Sequence, residues 1–268
     1  MKKIILLLAT AAFFVGCSTN AVTGRKQLTL FPESTLQQQA ITEYQSFLSQ
    51  NKVVASSANR DAEMVKRVGQ RIANAITAYY SQKGLSGELS GYKWEFNLVD
   101  NKEVNAWCMP GGKVVVYTGL LNYTQNEAAL AIVMGHEIAH AVTHHGNERM
   151  SQGALAQGLE IVGNIATANN PKYNSLFTSI FAPTAQVAFL LPNSRNQEYE
   201  ADHYGLNFAA MAGYNPREAI PFWQRMAAAA KGQKPPEFLS THPADENRIA
   251  KLESFMPEAL SYYKPVGK

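Results

Sequence analysis

The chain has 268 residues, of which 46% are hydrophobic and 17% are charged. That length and composition fit one globular domain of ordinary size with a short appendage, and they allow a substantial core. The formal net charge is only +3, and two of the positive charges are Lys2 and Lys3. No long basic run with interleaved aromatic residues occurs in the sequence, so we expect no nucleic-acid partner.

The N-terminus has the pattern of a bacterial lipoprotein signal peptide. The apolar run from Ile4 to Val15 is too short for a membrane-spanning helix, which needs roughly 20 residues. Gly16 followed by Cys17 resembles a lipobox, so residues 1–17 are predicted to be a signal peptide with a lipidated Cys17. By the sorting rule that this resemblance implies, Ser18 directs the protein to the periplasmic face of the outer membrane. The alternative is an ordinary signal peptide and a soluble periplasmic protein.

The two cysteines constrain the covalent chemistry of the chain. Lipid chains on Cys17 would anchor the protein to a membrane without spanning it. Cys108 would then be a single thiol, which we expect to be buried. A Cys17–Cys108 disulfide is the competing interpretation.

Helical and strand-like periodicities follow one another along the chain. Residues 18–59 are predicted to hold a polar tether and an N-terminal helix over Ser34–Asn51, and a second helix is predicted over Arg60–Lys83. Alternating polar and apolar residues around Phe96 predict a strand, and apolar runs on both sides of Pro110-Gly111-Gly112 predict a hairpin. We therefore expect a small antiparallel sheet before the next helix.

That next helix is long and is predicted from Gln125 to His145. Thr124 and Glu127 match a capping box at its start. Gly146 is placed for a left-handed C-cap at its end.

The second half of the chain is predicted to be helical. The segment Gln152–Leu191 is rich in Ala and Gly and favours a hydrophobic subdomain or lid, with a membrane-contacting face as the alternative. Ser194 starts a helix with a second capping-box pattern. Asn215-Pro216 opens the next helix, and a last helix starts near Pro243.

The sequence His136-Glu137-Ile138-Ala139-His140 lies inside the predicted long helix. Residues four apart lie on one helix face, so both imidazoles can reach one metal ion, and zinc prefers such neutral nitrogen ligands. Glu137 is rotated by about 100° from His136. Its carboxylate can therefore lie beside the open position of the metal and take a proton from metal-bound water. The surrounding apolar positions argue against two solvated surface histidines.

A catalytic zinc site needs a third protein ligand, and the helix after Ser194 offers two candidates. Glu198, Ala201, Asp202 and Gly205 share one helix face, whereas Glu200 lies on roughly the opposite side. The small Ala201 and Gly205 on that face would let the helix approach closely. We expect Glu198 to bind the metal and Asp202 to accept the outer N–H of a zinc-bound histidine. Glu200 as the ligand, and Asp202 as a solvated carboxylate, are the alternatives.

These motifs in this order resemble peptidase family 48 of the metallo class, which includes the CAAX prenyl endopeptidase. The similarity runs from about Glu95 to about Met256 and is carried by these segments: His136-Glu-x-x-His140, Ser194-Arg195-x-x-Glu198-x-x-Ala201-Asp202, Pro110-Gly111-Gly112 and Ser240-Thr241-His242-Pro243. The resemblance implies an α+β, mainly helical, gluzincin-type fold over residues 60–268. It also implies one zinc ion per chain with a glutamate as the third ligand.

The same resemblance carries two further implications. The strand Asn105–Cys108 should lie along the cleft, where a polypeptide substrate could pair with it. Membrane-embedded relatives carry transmembrane helices, and the sequence after Val15 predicts none. The chain therefore resembles the secreted or lipid-anchored bacterial branch of the family.

We therefore predict a zinc-dependent endopeptidase, with unfolded or damaged cell-envelope proteins as the leading substrate class. Glu137 is the predicted base, and His242 could stabilise the oxyanion or occupy the open position of the zinc. His242 as a helix-start residue without a catalytic role is equally compatible with the sequence. The sequence identifies no partner protein in the envelope.

Two other functions remain open at this point. With His242 as a fourth ligand and the 152–191 segment plugging the cleft, the protein would be a latent, chaperone-like or scaffolding zinc lipoprotein, because closed zinc sites are structural by default. A zinc hydrolase acting on a non-peptide amide is the third hypothesis.

The remaining histidines and two arginines receive no central role. His144 is predicted to be a neighbour of the site, and His145 and His203 to lie at the surface or behind the ligands. Arg195 and Arg248 are expected to pair with a carboxylate near the site or to be solvated. None of the three histidines is expected to bind the metal.

Overall fold

A computed structural model of the chain describes residues 17–157, 170–181, 194–231, 236–243 and 246–265. The signal peptide predicted before Cys17 and much of the predicted lid lie outside the described residues. The strands are β1 (Cys17–Thr19), β2 (Lys26–Leu28), β3 (Glu95–Val99), β4 (Ala106–Met109) and β5 (Lys113–Tyr117). The helices are α1 (Glu33–Gln50), α2 (Arg60–Gln82), α3 (Thr118–Thr124), α4 (Glu127–Val142), α5 (His145–Ala156), α6 (Pro171–Phe181), α7 (Ser194–Met211), α8 (Ala219–Ala230), α9 (Phe238–Thr241) and α10 (Glu246–Tyr262), with 3-10 turns at Ser86–Leu89 and Pro216–Glu218.

The predicted α+β, mainly helical fold is confirmed, and its central sheet has the order β3-β5-β4. β4 and β5 form the predicted antiparallel hairpin, whereas β3 pairs with β5 in parallel. The sheet is therefore mixed. After β3 the chain leaves one strand position open and forms β4 beyond it, and β5 then fills the position between β3 and β4. β4 lies at the edge of this sheet.

Side chains alternate across β5 and divide the core into two hydrophobic clusters. Val114 and Val116 face a cluster that includes the apolar row of α2 and most of α4. Val115 and Tyr117 face a second cluster, which includes the buried residues of α1. Both faces of the sheet are covered, so β4 holds a fixed position beside α4.

Both ends of α4 differ from the predicted boundaries. Asn126 caps the start, because its Oδ1 accepts from the amide of Ala129 at 2.8 Å, so the Thr124–Glu127 capping box is wrong. At the other end His144, not Gly146, has the left-handed conformation, with φ of 60°. Gly146 lies inside α5.

A segment that the sequence predicts as a polar tether, residues 18–32, packs against the end of α4. The amides of the buried Asn20 and Gln27 side chains both donate to the carbonyl of Thr143, at 3.1 and 2.7 Å. In a continued helix the carbonyl of Thr143 would accept from the backbone amide four residues later, and the two side-chain amides take the place of that donor. They give the physical reason why α4 stops before His144.

The two cysteines do not form the alternative disulfide. Cys17 is an exposed free thiol, and Cys108 is a partly buried free thiol on β4. Burial raises the pKa of the Cys108 thiol well above its usual value, as expected for an unpaired thiol in an apolar place. Among the helices within the described ranges, none combines the length and apolar character needed to cross a membrane.

Candidate metal centre and active site

The candidate site forms where α4 and α7 cross with their backbones in contact. A Cβ atom built on Gly135 would lie 2.6 Å from the carbonyl oxygen of Gly205, and one built on Gly205 would lie 2.6 Å from the amide nitrogen of His136. Only glycine fits at such a crossing. The expectation that small residues on the α7 face allow a close approach is confirmed. The crossing lets carboxylates of α7 reach the imidazoles of α4.

Four buried side chains converge at this crossing: His136, His140, Glu198 and His242, each with one possible ligand atom within 4.8 Å of the others. Nε2 of His136 lies 3.1 Å from Nε2 of His140. The carboxylate of Glu198 lies 3.3 Å from His136 Nε2 and 3.2 Å from His140 Nε2. Nδ1 of His242 lies 2.7 Å from Glu198. The residues predicted as ligands are thus brought together.

Asp202 lies behind His136, one helical turn beyond Glu198. Its Oδ1 is 2.9 Å from Nδ1 of His136 and accepts from Nη2 of Arg248 at 2.7 Å. The guanidinium of the buried Arg248 also lies 3.6 Å above the ring of Trp223. Asp202 is therefore buried rather than solvated, and it turns Nε2 of His136 toward the other three residues.

Glu200 points away from the cluster, toward the N-terminal segment. Its Oε2 lies 2.8 Å from Nε2 of His145 and accepts from Nε of Arg25 at 2.7 Å. Nδ1 of His145 lies 2.7 Å from Nδ1 of His140. His145 is fully buried, so it lies behind the ligands and not at the surface.

The electrostatics of the cluster favour a neutral His140 and an ionised Glu198, which are the protonation states that a metal needs, but they favour a charged His136 while no metal is bound. Burial lowers the pKa of His140 well below its usual value. Burial alone would raise the pKa of Glu198, but the neighbouring His242 and His140 hold it well below its usual value. Burial likewise opposes charge on His136, but Asp202 and Glu198 raise the pKa of His136 to about 9.

This donor set fits a zinc ion. Two imidazole nitrogens and one carboxylate oxygen match the ligands of catalytic zinc sites with three protein ligands. The outer nitrogens of both imidazoles have partners, Asp202 for His136 and His145 for His140. Such partners orient the ring so that the inner nitrogen is free for a metal.

A cleft opens beside Glu137. It is lined by β4 and its flanking residues, by His140 and Arg149, and by His242. Oε1 of Glu137 lies 3.4 Å from Nε2 of His242. Burial raises the pKa of Glu137, although His242 and His136 oppose the shift. A carboxylate with a raised pKa in a cleft is suited to proton transfer.

The other residues singled out in the sequence lie outside the cluster. His144 pairs with Glu33 at 3.1 Å, and His203 pairs with Glu258 at 2.7 Å near the surface. Arg195 is exposed.

The sequence did not predict the roles of Arg25 and Arg149. Nη2 of Arg149 lies 3.0 Å from Nδ1 of His140, and its Nε donates to Gln197 at 3.0 Å. Gln197 is thus engaged away from the predicted capping box. The contacts of Arg25 with Glu200 and of Arg149 with Gln197 join residues far apart in the sequence, so they leave no periodic pattern in it.

Comparison with known proteins agrees with this geometry. Residues 59–256 match the model of Peptidase family M48. The chain is 35% identical to the mitochondrial metalloendopeptidase OMA1 of Arabidopsis thaliana over 183 residues, which are 68% of this chain and 36% of the relative. It is 32% identical to the mitochondrial metalloendopeptidase OMA1 of Danio rerio over 264 residues, which cover 96% of this chain and 54% of the relative.

A bacterial relative is also similar. The chain is 32% identical to the beta-barrel assembly-enhancing protease of Escherichia coli (strain K12) over 163 residues, which are 59% of this chain and 33% of the relative. The chain spans about half or less of the length of these curated relatives. With a family model that matches most of its length and a converged His-His-Glu cluster on two crossing helices, the chain belongs to peptidase family M48.

Proposed function

We propose that this chain is a zinc-dependent endopeptidase. The observation that carries the proposal is the convergence of His136, His140 and Glu198 beside a cleft that also contains the Glu137 carboxylate. These three residues would hold one zinc ion, and Asp202 would support His136 from behind. The names of the similar proteins, which are metalloendopeptidases and a protease, support the same activity.

The chain's own residues would divide the chemistry between them. A zinc ion, when bound, supplies Lewis acidity that polarises a carbonyl and lowers the pKa of water toward about 7. Glu137 takes the proton from the attacking water and then delivers it to the leaving amine. Its raised pKa suits both transfers, because a base with a pKa nearer to neutrality can also give the proton back.

His242 lies beside Glu137 in the cleft and would act on the substrate. With its Nδ1 held by Glu198 at 2.7 Å, its Nε2 points to the Glu137 side at 3.4 Å. With hydrogens on both ring nitrogens, the imidazolium of His242 would donate from Nδ1 to Glu198 and from Nε2 to the oxyanion that develops on the scissile carbonyl. This role needs His242 to remain outside the metal's ligand set.

The edge of β4 offers the place for a polypeptide. β4 pairs with β5 on one side only, and its residues Ala106–Met109 line the cleft together with Glu137 and His242. An extended substrate could add to this edge through main-chain hydrogen bonds. Such pairing depends on the substrate's backbone and not on its side chains. It would therefore suit a protease that cleaves unfolded chains of varied sequence.

The biological setting is also a proposal. The lipobox-like Gly16 and Cys17 support a lipoprotein on the periplasmic face of the outer membrane, anchored through Cys17. The relative in Escherichia coli is named for enhancing beta-barrel assembly. We therefore propose unfolded or damaged cell-envelope proteins as the substrates.

Replacing Glu137 by Gln tests the chemistry. The variant keeps the shape of the side chain but cannot act as a base, so kcat on casein is expected to fall about 10²–10⁴-fold with zinc still bound. Glu127→Gln on the same helix is the matched control and should cleave at the wild-type rate. Undiminished cleavage by zinc-loaded Glu137→Gln would contradict the role of Glu137.

A latent zinc lipoprotein is the second candidate, and the position of His242 favours it. His242 Nδ1 lies 3.1 Å from His136 Nε2, inside the group of possible ligands. Zinc with four protein ligands would have no open position. X-ray absorption of the zinc-loaded chain separates the two, since His242→Ala would change the coordination only if His242 is a ligand.

A further inference from the structure

His145 connects the candidate ligand His140 to the N-terminal segment. Its two ring nitrogens lie 2.7 Å from Nδ1 of His140 and 2.8 Å from Oε2 of Glu200. The same Oε2 accepts from Nε of Arg25 at 2.7 Å, and the two terminal nitrogens of Arg25 bind Glu148 at 2.9 and 2.7 Å. Three short contacts therefore run from Arg25 to His140.

The hydrogen positions along this line follow from what each group can do. A carboxylate only accepts, so Nε2 of His145 carries the hydrogen that Glu200 accepts. In a neutral imidazole the other nitrogen is then an acceptor, so Nδ1 of His145 accepts from Nδ1 of His140. His140 is left with a bare Nε2, the nitrogen that faces His136 and Glu198.

A competing donor makes this choice of tautomer significant. Nη2 of Arg149 lies 3.0 Å from the same Nδ1 of His140. A guanidinium has donors only, so an Arg149–His140 hydrogen bond requires a bare Nδ1 on His140. The ring hydrogen would then sit on Nε2, where it would block a metal. For His140 to bind a metal through Nε2, a further group must therefore keep His145, and not Arg149, as the hydrogen-bond partner of His140 Nδ1.

We propose that Arg25, Glu200 and His145 are positioning residues that hold His140 in the Nδ1–H tautomer and leave its Nε2 free for a metal ion. The inference rests on the proposed function, in which His140 binds zinc. It assigns a task to the N-terminal segment, because Arg25 is the residue that fixes the Glu200 carboxylate.

The pairing of Glu200 supports this relay. Its Oε2 accepts from Nε of Arg25 at 2.7 Å and lies 2.8 Å from Nε2 of His145. A carboxylate paired with an arginine has no hydrogen to donate, so Glu200 can only accept. An uncharged residue of the same shape would lose this constraint.

The substitution Glu200→Gln in the full chain tests the relay. Glutamine keeps the size of the side chain but can either accept or donate, so it no longer dictates the tautomer of His145. In competition with a chromophoric chelator, zinc affinity is expected to fall about 10–100-fold, the usual effect of losing such a partner. Nitrogen-15 NMR of the metal-free chain should show the His140 hydrogen moving from Nδ1 to Nε2.

Two further variants keep the test decisive if Glu200→Gln does not fold. Arg25→Gln should shift the tautomer in the same direction, and Arg25→Lys should restore it in part. Glu258→Gln is the matched control, because Glu258 binds His203 at 2.7 Å near the surface. It should keep the wild-type zinc affinity and His140 tautomer. A merely structural role would lower Tm in the relay variants and leave the tautomer unchanged.

The relay and the proposed function fail in different ways. Wild-type zinc affinity with the hydrogen still on Nδ1 in Glu200→Gln would overturn the relay. A wild-type chain that binds no zinc, or binds it and cleaves no polypeptide, would overturn the proposed function. In that case the tautomer of His140 in the metal-free variants still decides whether the relay exists.

Discussion

Replacing Gly205 by Ala should push α4 and α7 apart at the point where they carry the metal-binding side chains. A Cβ at this position would lie 2.6 Å from the amide nitrogen and 2.7 Å from the Cα of His136. Ordinary van der Waals contact starts at 3.4 Å, so the helices must separate locally by about 0.8 Å. Both atoms belong to the backbone of a buried helix, so no side chain can rotate out of the way.

The separation should affect both stability and the site. Overpacking of this kind costs about 1–3 kcal/mol, and at this chain length each kcal/mol lowers Tm by about 2–4 °C. A fall in Tm of about 2–12 °C is therefore expected in the metal-free chain. Glu198 and Asp202 move with α7 away from His136, and a displacement near 1 Å can reduce activity about 100-fold.

Thermal unfolding and zinc competition measure the two effects. Gly87→Ala is the matched control, because a Cβ built on Gly87 meets nothing within 4 Å. If Gly205→Ala has the same Tm and zinc affinity as Gly87→Ala, the backbone contact does not set the site and the reasoning is refuted.

Two other predictions concern the surroundings of the site. Gln27→Leu removes the donor 2.7 Å from the carbonyl of Thr143 and should lower the free energy of unfolding in urea by about 0.5–1.5 kcal/mol; an unchanged midpoint would show that Gln27 does not stabilise the end of α4. Burial lowers the pKa of His144, but its ion pair with Glu33 raises that pKa above the ordinary 6.5 overall. The folded chain then binds the extra proton, so the pair stabilises fully below pH 6.5 and the stabilisation is lost as pH rises through the folded pKa. Glu33→Gln should flatten this part of the stability–pH curve, and an equal slope in both proteins would count against the pair.

The candidate ligands could be predicted from the sequence because their arrangement depends on local periodicity. Within one helix, a spacing of four places His136 and His140 side by side. The same spacing places Glu198 and Asp202 on one face of the second helix. The small residue Gly205 on that face predicted the close crossing, since helices approach only where side chains are small.

The far side of the site depends on non-local contacts and could not be predicted. The end of α4 is set by Asn20 and Gln27, more than a hundred residues earlier in the chain. Extending the helix through His145 left that residue either at the surface or behind the ligands, whereas the break after Thr143 turns it into the interior. The order of the sheet strands likewise depends on a non-local contact, because β5 pairs with β3 as well as with its neighbour in sequence, β4.

The β1–β2 hairpin packs against the end of α4, so no flexible linker separates Cys17 from the rest of the fold. Cys17 pairs with Leu28 in the hairpin, and Asn20 is already bonded to Thr143. Two residues lie between Cys17 and Asn20, so the chain from Cys17 to Asn20 can span only about 10 Å. Any attachment made through Cys17 would therefore fix the distance and the orientation of the cleft relative to the surface of attachment. If the chain has the proposed endopeptidase activity, it would then reach only those segments of a substrate that lie close to the surface to which Cys17 is attached.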